Sequence, residues 1–591
     1  MKSLNRSSVA TGLLFLLALA LMSPALFAGF MGDDFIHQAL FKPGLPISLP
    51  DDASLFGLFS FMDADPGRNK ELMNLGLLPW WTFPEMKYAF WRPLSELSHG
   101  LDYLLWPGNA VMMHAHSILW YFALCYLVYR LYRYFYQSLP SYLLLTGFAL
   151  YLLDSSHGFA LSWIANRNGL IAATFGMASI LCYVKSHDQN ILSLKLASIG
   201  LLGLALFSAE IGISTVGYFG AYALFIDKRN TIRSCLSVLP HILLVILWWI
   251  LYKSLDFGAA NAVGYYLDPV AAPLDFLATL AQRIVVLFGS QWGLIPAEVY
   301  GFSGTYKLLA NVLVVIASVV VLLVIMILAP LLARSKRARF WLVGALFSAL
   351  PVCAALPHDR LLLFIGVGAM GIFLELFNEA NNRDPKPNLW QTLTNIQPGY
   401  RKVMLMVFLG LHLLISPLLL TLTAYSPKVW AKQIDMSPAR LSGLEDLDKK
   451  QLVLFNVPIA SSTSLSIWRF NQQLPIPERV WPISNHVSKL HLVRVADNAL
   501  VVAKEGGFIQ MEETGVRDLA SQPFKQGDQV TLSGLNIEVL QVSKSGQPVS
   551  IKTTFNKSLD DEELVFMSWD VDAGEYEVIE MPTIGGAISL N

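Results

Sequence analysis

Apolar runs long enough, or nearly so, to cross roughly 30 Å of hydrocarbon recur through this chain. They lie at about 11–30, 111–135, 142–154, 169–186, 192–208, 211–227, 235–252, 308–330, 340–356, 361–377 and 402–424. In lipid every backbone N–H and C=O must be satisfied within the segment, so runs of this kind must be helices. The expected fold class is an α-helical polytopic membrane protein with about 11 transmembrane helices. Composition agrees: 54% of residues are hydrophobic and 14% charged, where soluble domains carry about a quarter charged. The formal net charge of -1 supplies no basic field for nucleic acid. Cys125, Cys182, Cys235 and Cys353 all sit in apolar stretches without CxxC spacing, and read as buried free thiols.

Lys2 and Arg6 precede the first run, which is longer than the roughly 7–15 apolar residues of a secretory signal. It reads as a retained span. With the N-terminus cytoplasmic, the inward connections collect Arg130, Arg133, Lys185, Lys195, Lys228, Arg229 and Arg233. Further along they hold Arg334, Lys336, Arg337, Arg339, Arg383, Lys386, Arg401 and Lys402. The short outward turns hold little beyond Arg167 and Arg360. This is a positive-inside pattern for a multi-pass protein of the plasma (inner) membrane, with its tail extracytoplasmic.

The domain reading is a membrane domain over 1–424, including an outward loop at 31–109, and an extracytoplasmic β-rich domain over 425–591. In the loop, apolar patches at 55–61 and 75–83 are too short to span and read as interfacial helices. A second outward loop at 253–307 carries Tyr265, Tyr266 and Trp292, placed to cover a cavity. In the tail, Leu535, Ile537 and Val539 alternate with Asn536 and Glu538, and Ser545-Gly546 turns into Val549, Ile551 and Thr553. That pattern is a hairpin. No metal or nucleophile motif stands out in the tail, so binding or support is its default role.

The ionisable residues that could do chemistry gather on the outward side. Asp33 and Asp34 follow the first span in Gly32-Asp33-Asp34-Phe35. One Asp could cap a helix beginning near Phe35, but two carboxylates at a membrane surface are costly and suggest function. Arg92, in Trp91-Arg92-Pro93-Leu94, could grip a phosphate through parallel hydrogen bonds or snorkel at the interface. Asp102 follows it. His114 and His116 open the second span, and their HxH spacing points the rings apart, which argues against a shared metal. Arg167 stands in Trp163-Ile164-Ala165-Asn166-Arg167. Glu210, in Ala209-Glu210-Ile211-Gly212, caps the next helix or pairs with an arginine across the bundle. His358, Asp359 and Arg360 share another short turn.

This ordered set resembles the polyprenol-phosphate-dependent GT-C glycosyltransferases, and within them the protein O-mannosyltransferase-like and oligosaccharyl-type branches. The likeness rests on Asp33-Asp34 after span one, Trp91-Arg92-Pro93-Leu94 before span two and His114 at its start. Trp163-Ile164-x-x-Arg167-x-x-Leu170 and Ala209-Glu210-Ile211-Gly212 complete it, over roughly residues 11 to 380. Two positions depart: Ser117 stands where those proteins have Asn, and Ala209 where they have Lys. The β-rich tail has no counterpart in the resemblance.

The resemblance implies a GT-C-like fold and transfer of a sugar from a polyprenyl-phosphate-linked donor to a glycan, lipid or protein acceptor at the outer face. Membrane lipids surround the donor's tail. Asp33 or Asp34 would be the general base, and Arg92, Arg167 and Arg360 would hold the phosphate, with His114, Glu210 and His358 lining the substrate site. No cofactor is certain; the Asp pair could take a divalent cation, although one short motif cannot supply all its oxygen ligands. Two rivals remain. A secondary transporter would place ionisable groups near mid-membrane, where these spans carry few. A noncatalytic assembly protein would use its tail to bind a partner.

Overall fold

The structure, a computed structural model, describes residues 6–590 apart from 46, 48–56, 262–264, 304–306, 384–399, 435–440, 442–443, 487, 510–514 and 571. The chain divides into two compact units. The first holds residues up to Met31, Trp91–Phe257 and Leu267–Lys428; the second holds Gly32–Phe90, Gly258–Tyr266 and Val429–Asn591.

The first unit is the helical bundle of a polytopic membrane protein. Among the described residues, eight helices are long and apolar enough to cross a bilayer: Ser8–Phe27, Ala110–Phe135, Ile164–Gln189, Thr231–Ser254, Pro273–Gly293, Leu308–Arg334, Asp359–Asn381 and Lys402–Val429. The runs expected at 142–154, 192–208, 211–227 and 340–356 form shorter helices, Ser141–Leu152, Leu192–Leu206, Thr215–Phe225 and Lys336–Val352. Across the bundle, apolar side chains such as Leu192, Leu243, Val315 and Leu418 stand exposed, as the lipid-facing surface of a membrane protein requires.

Asp359–Asn381 is the central helix, with 94% of its apolar window buried. Three tyrosines reach its first turns from neighbouring helices: Tyr151 Oη donates to the Leu363 carbonyl at 2.9 Å, Tyr218 to Phe364 at 2.6 Å and Tyr132 to Val367 at 2.6 Å. A buried phenol needs an acceptor, and a helix carbonyl has a spare lone pair. Glycine permits the closest approach nearby. A Cβ on Gly217 would lie 2.6 Å from the Ser348 amide nitrogen, so helices Thr215–Phe225 and Lys336–Val352 touch through backbone.

Helix Pro273–Gly293 corrects the expected second loop. It escaped the hydropathy reading because Asp275, Gln282, Arg283 and Gln291 interrupt its apolar run. Both of its flanks are tied to one connection. Leu267 N donates to the Ala354 carbonyl at 2.7 Å, and the Ala297 amide donates to Asp359 Oδ1 at 2.9 Å. Midway, Arg283 Nη1 donates to the carbonyls of Cys353 and Ala355. Trp292, expected to roof a cavity, is instead buried, with Nε1 on the Ala369 carbonyl.

The outward loop also differs from expectation. Residues 75–83 form no helix; Trp80 and Trp81 are buried in the core of the second unit, with Trp80 against Phe508 and Phe524 and its Nε1 on the Ile483 carbonyl at 3.1 Å. Of the patch at 55–61, residues 55 and 56 lie outside the described residues, and Ser60–Asp63 is a strand. The amphipathic helix of this loop is Pro93–Leu105, in the first unit, and it is inside out. It buries Ser95, Glu96, His99 and Asp102 and exposes Leu97, Leu101, Leu104 and Leu105. Such a helix is stable only where lipid meets its exposed leucines.

The second unit is strand-rich. A six-stranded antiparallel sheet runs in the order Ala587–Leu590, Leu490–Ala496, Ala499–Lys504, Pro548–Phe555, Leu535–Val542, Gln529–Leu532. The expected hairpin is present, and Leu535, Ile537 and Val539 are buried as their alternation requires. Its second strand shifts register around Ser550, so Ile551 and Thr553 face inward while Val549 is only partly covered. A separate four-stranded sheet is mixed: Gln451–Phe455 pairs in parallel with both Leu564–Asp570 and Arg479–Pro482, with helix Ile459–Asn471 as the crossover. All five residues of Gln451–Phe455 are buried, as expected of a strand covered on both faces. A three-stranded sheet joins Ser60–Asp63, Lys87–Ala89 and Gly258–Ala260.

Candidate active site

Helix Pro93–Leu105 turns Asp102 into the bundle, and helix Arg167–Gln189 begins with Arg167 beside it. Both side chains are fully buried and their ion pair is direct. Arg167 Nε donates to Ser117 Oγ at 2.9 Å, and Nη2 donates to the Met113 carbonyl at 2.7 Å. Asp102 Oδ1 also meets His116 Nδ1 at 2.6 Å, and Trp120 Nε1 donates to His116 Nε2 at 3.0 Å. The Trp120 bond makes His116 Nε2 an acceptor, so its Nδ1 carries the proton toward Asp102. A charge this deep is tolerable only when so paired.

His116, not His114, is thus the histidine in the arginine network. His114 Nε2 lies 2.8 Å from the Gly29 carbonyl and fixes the chain four residues ahead of Asp33. The polar stripe Ser95, Glu96, His99, Asp102 recurs at helical spacing and was the available signal for Asp102.

Arg92 and Glu210 form a second pair. Arg92 Nε and Nη2 both reach Glu210 Oε2, at 2.9 and 2.8 Å, and Tyr252 Oη donates to Oε1 at 3.2 Å. Of the two readings of Glu210, the structure has the arginine pair. The same residue opens the short helix Glu210–Ser214. Both side chains stay partly exposed, at 15% and 27%.

The third group surrounds the turn at 357–361. His358 Nδ1 meets Glu298 Oε1 at 2.8 Å, and the Asp359 amide donates to the same oxygen at 3.2 Å. Asp359 accepts from Ser290 Oγ at 2.6 Å and from the Ala297 amide, so turns 297–298 and 358–359 clamp each other. Arg360 lies over the Trp163 ring at 4.8 Å, and its Nη1 approaches Asn166 Oδ1 at 3.4 Å. Asn166 adjoins Arg167 in the chain, so the first and third groups are neighbours. Neither Glu298 nor helix Pro273–Gly293 is nominated by local pattern, because polar residues interrupt the apolar run there.

Burial sets the protonation here. It pushes His358 below the usual imidazole range, and the nearby Arg360 charge adds to this against the opposing Glu298 bond. Burial also works against the Glu298 carboxylate, but hydrogen bonds from His358 and the backbone outweigh it and hold that acid below its usual range. Asp154, buried and bonded to Gln291 Nε2 at 2.5 Å and the Ser156 amide at 2.9 Å, is pushed up to about 6 by burial.

Asp33 and Asp34 belong to the second unit. The helix is Asp33–Leu40 and Gly32 is its cap, with φ 52°, so the aspartates occupy the first turn instead of capping from outside it. Their charges suit a helix N-terminus. Asp34 is buried, and Asp33 lines a cavity of about 320 Å³ within this unit, with Arg68, Tyr88 and Tyr266 among its walls. Among the described residues no three His, Cys, Asp or Glu side chains are grouped to hold a metal ion.

No family model matches the chain, and no curated protein matches it. Among solved structures it is similar to ArnT from Cupriavidus metallidurans in the apo state, with 11% identity, 80% of this chain and 90% of that chain covered, and a TM-score of 0.38. It is also similar to ArnT from the same organism bound to undecaprenyl phosphate, with 12% identity, coverage of 92% and 98%, and a TM-score of 0.36. Arabinofuranosyltransferase AftD from Mycobacteria is similar at 12% identity over 97% of this chain and 41% of that one, with a TM-score of 0.35.

Proposed function

We propose that this protein transfers a sugar from a polyprenyl-phosphate-linked donor to an acceptor at the outer face of the membrane, with Asp33 as general base and Asp34 as the alternative. One observation carries the reading. Motifs that the resemblance only ordered along the chain are bonded to one another in space. Trp91-Arg92-Pro93-Leu94 meets Ala209-Glu210-Ile211-Gly212 through Arg92 and Glu210. The start of helix Ala110–Phe135 meets Trp163-Ile164-x-x-Arg167 through Met113, Ser117 and Arg167.

The chemistry asked of the site is modest. An acceptor hydroxyl is a weak nucleophile, and a carboxylate takes its proton as the new bond forms. Charge builds on the departing phosphate and needs fixed positive groups. Arg360 suits that task, because its hydrogen bond and its stacking are both to neutral groups. Arg92 is the second candidate, partly exposed and paired with one carboxylate. Arg167 is a positioning residue in this reading: it holds Asp102 and the Met113 carbonyl, and gripping a phosphate would require breaking a buried pair.

Comparing surface glycans by mass spectrometry in cells carrying the wild type or Asp33→Asn/Asp34→Asn tests the proposal. Loss of one sugar mass is expected, and its identity would name sugar and acceptor. Unchanged glycans, with the variant correctly inserted, would reject the transferase reading in favour of an assembly role.

A further inference from the structure

We propose that Glu298 and His358 form the protonatable half of a phosphate grip that Arg360 completes, matched to the phosphate monoester left on the polyprenol after transfer. This rests on the glycosyl-transfer reading and names the ligand state that the turn at 357–361 recognises.

The geometry is that of an oriented imidazole. Glu298 Oε1 faces His358 Nδ1 at 2.8 Å, which fixes the proton on Nδ1 and leaves Nε2 with its lone pair. Phe159 packs on the ring, with centroids 5.0 Å apart, and the side chain keeps 21% of its surface open. The charged and titratable groups around it are Glu298 from the segment Ala297–Ser303 and Asp359 and Arg360 from its own turn. Asp154, bonded to Gln291, lies near enough for its charge to act on Asp359, and helix His157–Ser162 brings Phe159 to the ring. Burial and the nearby guanidinium keep the imidazole neutral at rest.

Transfer changes the charge that such a site sees. The anomeric C–O bond to phosphate breaks, a C–O bond to the acceptor forms, and the hydroxyl proton passes to the carboxylate base. The donor is a phosphodiester with one negative charge. The departing monoester has a second ionisation near ~6 and is largely dianionic at neutral pH. His358 Nε2 takes a proton from solvent as that second charge appears, becoming a donor beside Arg360, while Glu298 balances the imidazolium. Donor and product thus differ by one charge, and the site gains one to match.

Calorimetric titration of undecaprenyl phosphate into the detergent-solubilised full chain, in buffers of different ionisation enthalpy, counts the protons exchanged. Wild type is expected to take up as much as about one proton more per phosphate than His358→Gln near pH 7. The substitution should weaken binding about tenfold there and less than about twofold at pH 9, where the imidazole is neutral anyway. Glu298→Gln should reduce the uptake while leaving tight binding at acidic pH. Equal proton uptake by wild type and His358→Gln, with binding retained, would overturn this proposal alone. Failure of the wild type to bind undecaprenyl phosphate at any pH would overturn it together with the glycosyl-transfer reading.

Discussion

Asp102 and Arg167, 65 residues apart in the chain, meet as an ion pair with no solvent exposure on either side chain. The pair joins the inside-out helix Pro93–Leu105 to the start of Arg167–Gln189, and it fixes the bundle end at which the other ionisable groups gather.

Breaking that pair should be severe. Asp102→Asn leaves the guanidinium buried beside a neutral amide, a change that typically costs ~3–5 kcal/mol. The expected result is a clear fall in the thermal midpoint of the solubilised protein. Asp102→Leu with Arg167→Met, which removes both charges, should recover much of it. A single variant as stable as wild type would contradict the burial described here.

Arg92→Lys should keep a positive charge near Glu210 but lose the planar fork that places two nitrogens on one oxygen. If Arg92 helps hold the phosphate, transfer should drop by about 10²-fold with little change in thermal stability. Glycan occupancy in complemented cells reads this directly.

Asp154→Asn gives a pH-dependent sign. The Asp154 pKa is raised from an ordinary 3.8 to about 6, so the folded state binds a proton that the unfolded chain has released. Stability from this group is present below 3.8 and is lost as pH rises to about 6, a penalty of up to ~3 kcal/mol at neutral pH. The amide avoids that penalty and keeps an oxygen for the Ser156 amide. Thermal denaturation should show the variant more stable than wild type at pH 8, with the advantage shrinking toward pH 4.

Trp80→Ala should loosen the second unit. Its indole is buried against Phe508 and Phe524, and truncating such a side chain costs ~3–5 kcal/mol. Faster amide exchange in the strands Leu490–Ala496 and Ala499–Lys504 is the expected readout.

Sequence legibility followed periodicity. Long apolar runs and the alternation at Leu535, Ile537 and Val539 announce themselves, because one kind of face repeats without interruption. Helix Pro273–Gly293 hides because polar residues break its run, and they do so because Arg283, Ser290 and Gln291 bond to neighbouring elements. Residues 75–83 mislead for the opposite reason: Trp80 and Trp81 look like membrane anchors locally, and only the sheets that follow hundreds of residues later supply their partners. Arg92, Arg167, Glu210, His358 and Arg360 could be nominated from charge in apolar context. Their pairing could not, since Asp102 and Glu298 become partners only through tertiary contact.

Three phenols already occupy carbonyls on the first turns of helix Asp359–Asn381, so sliding that helix along its axis would strand all three at once. The turn that carries His358 and Arg360 is thus hung from a shaft with one seating.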